Sequence, residues 1–230
     1  MLPTTEWSLV IAAAKDDTRA GEALARLCAM YWYPVFAFVR RQGHSPEDAQ
    51  DLTQGFFTRL IEKEDLGDAD RTRGRFRSFL LTACQHYLAN EHDRAQAQKR
   101  GGANVLLPID VAVAEERYAR ALSHDETPER VYDRQWCLTL LGSVLDELRD
   151  DYAASGNERL FDRLRAFLTG DDDSTYTDAA IDLGMTAGAV KVAVHRLRRR
   201  YRDALRARVA GTVAADAEIE DEIRHLLEVL

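Results

Sequence analysis

Apolar residues recur at three- and four-residue steps along most of the chain. No stretch alternates with β-branched enrichment, so the pattern predicts helices throughout. Leu24, Leu27, Tyr31, Val35 and Phe38 form the first stripe. Ser45-Pro46-Glu47-Asp48 reads as a helix start: Ser45 can cap, Pro46 suits the first turn and Asp48 can close a capping box. The helix that follows, 46–62, has Ala49, Leu52, Phe56, Phe57, Leu60 and Ile61 as its buried stripe. A third helix is expected from about Phe76 to Gln98, burying Phe79, Leu80, Ala83, Tyr87 and Leu88.

The pattern lapses at Gly101-Gly102 and resumes at Pro128, with room for one short helix at 111–121. This interval reads as a linker. Beyond Pro128 one helix carries Tyr132, Trp136, Leu140, Leu141, Val144, Leu145 and Leu148, and a second at 158–168 buries Leu160, Phe161, Leu164 and Phe167. The expected fold is therefore all-α, with two small helical domains. The boundaries are 1–100 for the first domain, 101–127 for the linker and 128–210 for the second domain. An acidic amphipathic helix at 211–230 follows, with Ile219, Ile223, Leu226, Leu227 and Leu230 as its stripe. That stripe suits either a core helix or a segment folded back onto one of the domains.

The segment from Tyr176 to His195 fits a helix-turn-helix. Small Ala180 permits close helix approach, Gly184 supplies a left-handed turn residue, and Thr186 can cap the second helix. Val190, Val194, Leu197, Tyr201 and Leu205 should then point inward, while Lys191, His195, Arg196, Arg199 and Arg200 point outward. A basic second helix suits the DNA major groove. The plain alternative is a helical hairpin with a solvated basic face.

Charge changes the picture. The chain carries 31 Lys and Arg against 39 Asp and Glu, a net charge of -8, which by itself points away from nucleic acid. Its distribution does not. Residues 71–100 hold seven basic side chains against two acidic ones, and residues 188–208 hold eight against one. Acidic blocks flank them: 44–70 has eight acidic and two basic residues, and 142–182 has eleven and four. Two basic islands in an acidic chain suggest two separate polyanion contacts.

With 30% charged and 46% hydrophobic residues, the composition is that of a soluble globular chain. No apolar run approaches the ~20 residues needed to span a bilayer, and the N-terminus does not read as a signal peptide. Cys28, Cys84 and Cys137 stand far apart without C-x-x-C, which argues against disulfides or zinc and suits the cytoplasm. H-E-x-x-H, G-x-S-x-G, Walker and G-x-G-x-x-G motifs are missing, so neither an enzyme nor a cofactor is expected.

Three motifs stand in a fixed order: Asp51-Leu52-Thr53-Gln54, then Arg73-Gly74-Arg75-Phe76-Arg77-Ser78-Phe79-Leu80, then the segment 176–200. Together they resemble the extracytoplasmic-function class of bacterial RNA polymerase sigma factors. The first two look like that family's region 2 and the third like its region 4, so nearly the whole chain is covered except the first ~20 residues, the linker and the tail. Gly55 stands where the family usually has Glu or Asp, Phe79 replaces a Trp, and Val192 and Ala193 replace Ser and Arg.

The resemblance implies three surfaces. Asp48, Asp51, Leu52 and Gln54 would bind the clamp region of core RNA polymerase. Arg71, Arg73, Arg75, Phe76 and Arg77 would engage the −10 promoter element. Thr186, Lys191, Val192, His195, Arg196, Arg199 and Arg200 would engage the −35 element. An anti-sigma factor or another regulator is a further candidate partner. Two rival readings remain: a helix-turn-helix regulator binding duplex DNA as a dimer, and an all-helical signalling adaptor.

Overall fold

A computed structural model of the chain describes the backbone of residues 18–62, 75–97, 111–121, 126–169 and 175–230. Side chains are described within these ranges except at 18–27, 61–62, 95–97, 111, 121 and 169. The fold is all-α, and no strand occurs among the described residues. The chain forms two compact units, Met1–Thr139 with Val209–Leu230, and Leu140–Arg208.

The first unit is assembled around α1 (Thr18–Arg41). Nine consecutive residues, Tyr31 to Val39, are all buried. The stripe in the sequence suggested one covered face, but this stretch is covered all round, as the middle of a central helix must be. Tyr31 meets Phe76 of α3 (Phe76–Ala97) edge to face at 5.2 Å, and Phe38 meets Tyr132 of α5 (Pro128–Ala154) at 6.4 Å. α2 (Pro46–Glu62) packs against α1 and buries Ala49, Phe56, Phe57 and Leu60 of its expected stripe, while Leu52 is half-buried and the Ile61 side chain lies outside the described residues. Ser45 caps the start of α2 as expected, Oγ accepting from the Asp48 N–H at 3.1 Å, while the Asp48 carboxylate accepts from the Ser45 hydroxyl at 2.9 Å.

The short helix α4 (Val111–Ala121) has the bounds that the sequence suggested, and it packs into the first unit. Glu115 takes both arms of the Arg40 guanidinium, at 2.8 and 2.6 Å, while Tyr118 lies under that guanidinium and Arg117 lies 3.8 Å above the Tyr33 ring. At least this part of the 101–127 stretch is therefore docked rather than spanning freely. The C-terminal segment also belongs here. A 3-10 turn (Asp216–Glu218) leads into α10 (Ile219–Glu228), which buries Ile219, Glu222 and Leu226 but leaves Leu227 exposed.

The second unit takes the latter half of α5, then α6 (Glu158–Leu164), α7 (Ala166–Thr169), α8 (Tyr176–Leu183) and most of α9 (Ala187–Ala210). The helix expected over 158–168 is broken by a turn at Arg165. Val144, Leu148, Phe161, Leu164, Ala179, Val190, Val194 and Leu197 form its core. Tyr152 packs on Phe161 at 5.5 Å, and Phe167 stacks on Tyr176 at 4.9 Å.

Candidate nucleic-acid interface

Local chemistry fixes the helix-turn-helix at both ends of α8. Thr175 Oγ1 accepts from the Asp178 N–H at 3.2 Å, and the Thr175 N–H donates to the Asp178 carboxylate at 2.9 Å, a reciprocal capping box. At the other end Gly184 adopts φ 64°, a backbone that favours glycine, and the Met185 N–H reaches back to the Ala180 carbonyl at 2.9 Å. Thr186 then caps α9 by accepting from the Ala189 N–H at 3.2 Å. Thr186 is thus a structural cap as well as a residue at the edge of the candidate DNA surface.

Val190, Val194 and Leu197 point into the core, so the outward face of α9 follows by periodicity. Lys191, Val192, His195, Arg196, Arg199 and Arg200 are all exposed there, as the sequence predicts. Their electrostatic states differ. Arg200 donates to Asp151 at 2.9 Å and lies 4.9 Å above the Tyr152 ring, and Arg208 pairs with Glu147 at 2.6 Å. Arg199 has only a 3.8 Å approach to Asp203 one turn away. Lys191, His195 and Arg196 have no ion-pair or hydrogen-bond partner among the described residues. Acidic residues of α5 therefore engage Arg200 and Arg208 toward the far end of the basic island, while Lys191, His195 and Arg196 nearer its start meet no carboxylate among the described residues. Val192, half exposed between these groups, offers the apolar contact that a thymine methyl accepts.

The first basic island is arranged otherwise. Arg71 and Arg73 lie outside the described residues. Phe76 and Arg77, expected at the DNA, are buried. Phe76 is 0% exposed between Tyr31 and Phe79. Arg77 is 5% exposed, with Nε 2.7 Å from Glu222, Nη1 on Asp133 and its guanidinium over Trp136. Burial alone would lower the Arg77 pKa, but its hydrogen bond to Glu222 and the charge of Asp133 outweigh it and hold the group above its ordinary value. An arginine so compensated is a core cation. Arg75 is half-buried and pairs with Glu222 at 2.8 Å. No local pattern signals this, because the carboxylates that claim these arginines lie 56 and 145 residues away from Arg77.

Phe79, which the sequence placed in the core, is half-buried and lines an open cavity of about 610 Å³ with Phe56, Arg59, His86 and Tyr87. On α2 the expected outward face is only partly present. Asp48 and Asp51 are exposed and Leu52 is half-buried, beside a groove of about 670 Å³ that also holds His44, Leu88 and His92. Gln54, expected to join them, is 2% exposed, and its Nε2 has no hydrogen-bond partner among the described residues. α2 packs against α1, α3 and α4, so its buried arc is wide enough to include Thr53 and Gln54.

Among the described residues no group of three or more His, Cys, Asp or Glu could hold a metal, and no helix is long and apolar enough to cross a membrane. No protein-family model, curated protein or solved structure matches this chain.

Proposed function

We propose that the chain is a promoter-specificity subunit of the extracytoplasmic-function sigma class, which directs RNA polymerase to −10 and −35 elements without catalysing a step itself. One observation carries the reading. A capped helix-turn-helix presents Lys191, Val192, His195 and Arg196 within the first three turns of its second helix, while acidic neighbours engage Arg200 and Arg208 further along. That is the portion of a recognition helix that reaches base edges, whereas phosphate contacts orient it.

In this reading Asp48, Asp51 and Leu52 meet core polymerase and Gln54 supports them from within the unit. At the −10 element the candidate surface is Arg75 together with Phe79, Tyr87 and Arg59 around the aromatic cavity, while Phe76 and Arg77 hold that surface in place. Extruding a base costs a few kcal/mol, and stacking on an aromatic ring returns about 1–3 kcal/mol. A net charge of -8 disfavours DNA binding by the free chain and makes the polymerase complex the working form.

The test is run-off transcription from a promoter library with purified core polymerase. Discrete start sites that require both protein and core are expected. Tight binding of a duplex operator by the protein alone, with no affinity for core, overturns the proposal in favour of a dimeric regulator.

A further inference from the structure

The first turn of α3 is held from the far end of the chain. An α-helix leaves its first four N–H groups without intrahelical acceptors, and here the Phe76 N–H donates to the Thr212 carbonyl at 3.0 Å. One residue on, Arg77 sends Nε to Glu222 and Nη1 to Asp133, while Arg75 reaches the other Glu222 oxygen at 2.8 Å. The Tyr132 hydroxyl donates to the Arg77 carbonyl at 3.0 Å, and His225, three residues after Glu222, stands 3.6 Å from Asp133. Glu222 is 0% exposed.

A buried ion cluster of this kind is a poor source of stability, since apolar side chains of similar volume commonly serve as well or better. α10 is only ten residues long and buries three, so giving one of those places to a carboxylate needs another reason. Geometry supplies it. A guanidinium fork fixes direction in a way that apolar packing does not. An inhibitory cover would hide groups ready to meet DNA. Here Phe76 beneath the cluster is packed on Tyr31 and Phe79, so lifting α10 would open the core rather than uncover a binding surface.

We propose that α10 is a strut for promoter opening, in which Glu222 acts as a positioning residue. Through Arg75 and Arg77 it sets the pose of the first turn of α3 and of the promoter-opening surface around Arg75 and Phe79. This inference rests on the sigma-factor reading above.

The experiment uses full-length holoenzyme and three readouts: core-polymerase affinity, binding to a −35 duplex, and promoter opening by permanganate reactivity of −10 thymines. Glu222→Asp keeps the charge but shortens its reach by one methylene. It should leave the first two readouts unchanged and slow opening about tenfold, the scale expected of a small misplacement. The double variant Arg77→Met with Glu222→Leu removes the guanidinium fork and its main acceptor together, and where it folds it should lose opening at least as far. Should the double variant fail to fold, Glu222→Asp alone decides. Opening at the wild-type rate by either folded variant overturns the strut, as does a parallel fall in all three readouts. Wild-type holoenzyme that opens no promoter overturns instead the sigma-factor reading beneath it.

Discussion

Gly55 occupies the interior of α2, where alanine is worth about 1 kcal/mol more than glycine, so propensity alone makes Gly55→Ala stabilising. Packing reverses the sign. A Cβ built at this position runs into the Tyr87 hydroxyl, whereas the next ring atom, Cζ, lies at 3.4 Å, an ordinary contact. The Tyr87 ring meets Phe56 at 5.8 Å and the Arg59 guanidinium at 6.0 Å, so its hydroxyl yields at the expense of these contacts. Overpacking of this kind costs about 1–3 kcal/mol. After subtracting the propensity gain, Gly55→Ala should destabilise the first unit by roughly 1 kcal/mol.

Tyr87→Phe removes only the clashing atom, and in that background Gly55→Ala should stabilise by about 1 kcal/mol. The four proteins of the cycle can be compared by urea denaturation followed by circular dichroism, with a coupling energy of about 1–3 kcal/mol expected. Equal stabilisation by Gly55→Ala in both backgrounds would refute the close approach.

Three further outcomes follow from the second unit and from the buried thiols. In selections of −35 variants with holoenzyme, Arg196→Ala should relax preference at one or two positions at a cost of about 1–3 kcal/mol. Arg199→Ala should weaken all promoters alike and reduce the log-affinity against log-salt slope by about 1; the reverse assignment would mean that α9 is rotated. Thr175→Ala removes half of the capping box and should cost the second unit about 0.5–2 kcal/mol in urea denaturation, with Asp178→Ala losing the reciprocal bond. Burial raises the Cys28 thiol to about 11 and the Cys137 thiol to about 12, and raises Cys84 as well. Between about pH 9 and those values the unfolded chain has released protons that the folded chain keeps. Stability should therefore be fully present below about pH 9 and fall above it, by up to about 1.4 kcal/mol per pH unit for each thiol. Urea midpoints that stay flat from pH 8 to 10 would contradict it.

Local signals settled much of this protein. Ser45 and Asp48, Gly184, and Thr186 fix the backbone through neighbours a few residues away, so the starts of α2 and α9 and the turn between α8 and α9 could be read directly. The inward set Val190, Val194 and Leu197 fixes the outward face of α9 in the same way, because helical periodicity leaves no freedom once one face is chosen. Tertiary structure decided the rest. Periodicity assigns each helix one buried face, but α1 is enclosed by α2, α3, α4 and α5, and α2 by three neighbours, so Gln54 went inside where a single face would have left it out. Charge counts treat arginines as equivalent. Which of them remain available depends on where distant carboxylates land: Glu222 and Asp133 withdrew Arg77, and Asp151 engaged Arg200, while Lys191 and Arg196 met no carboxylate among the described residues. Composition can count ions, but their pairing across long stretches of chain is a property of the folded state alone.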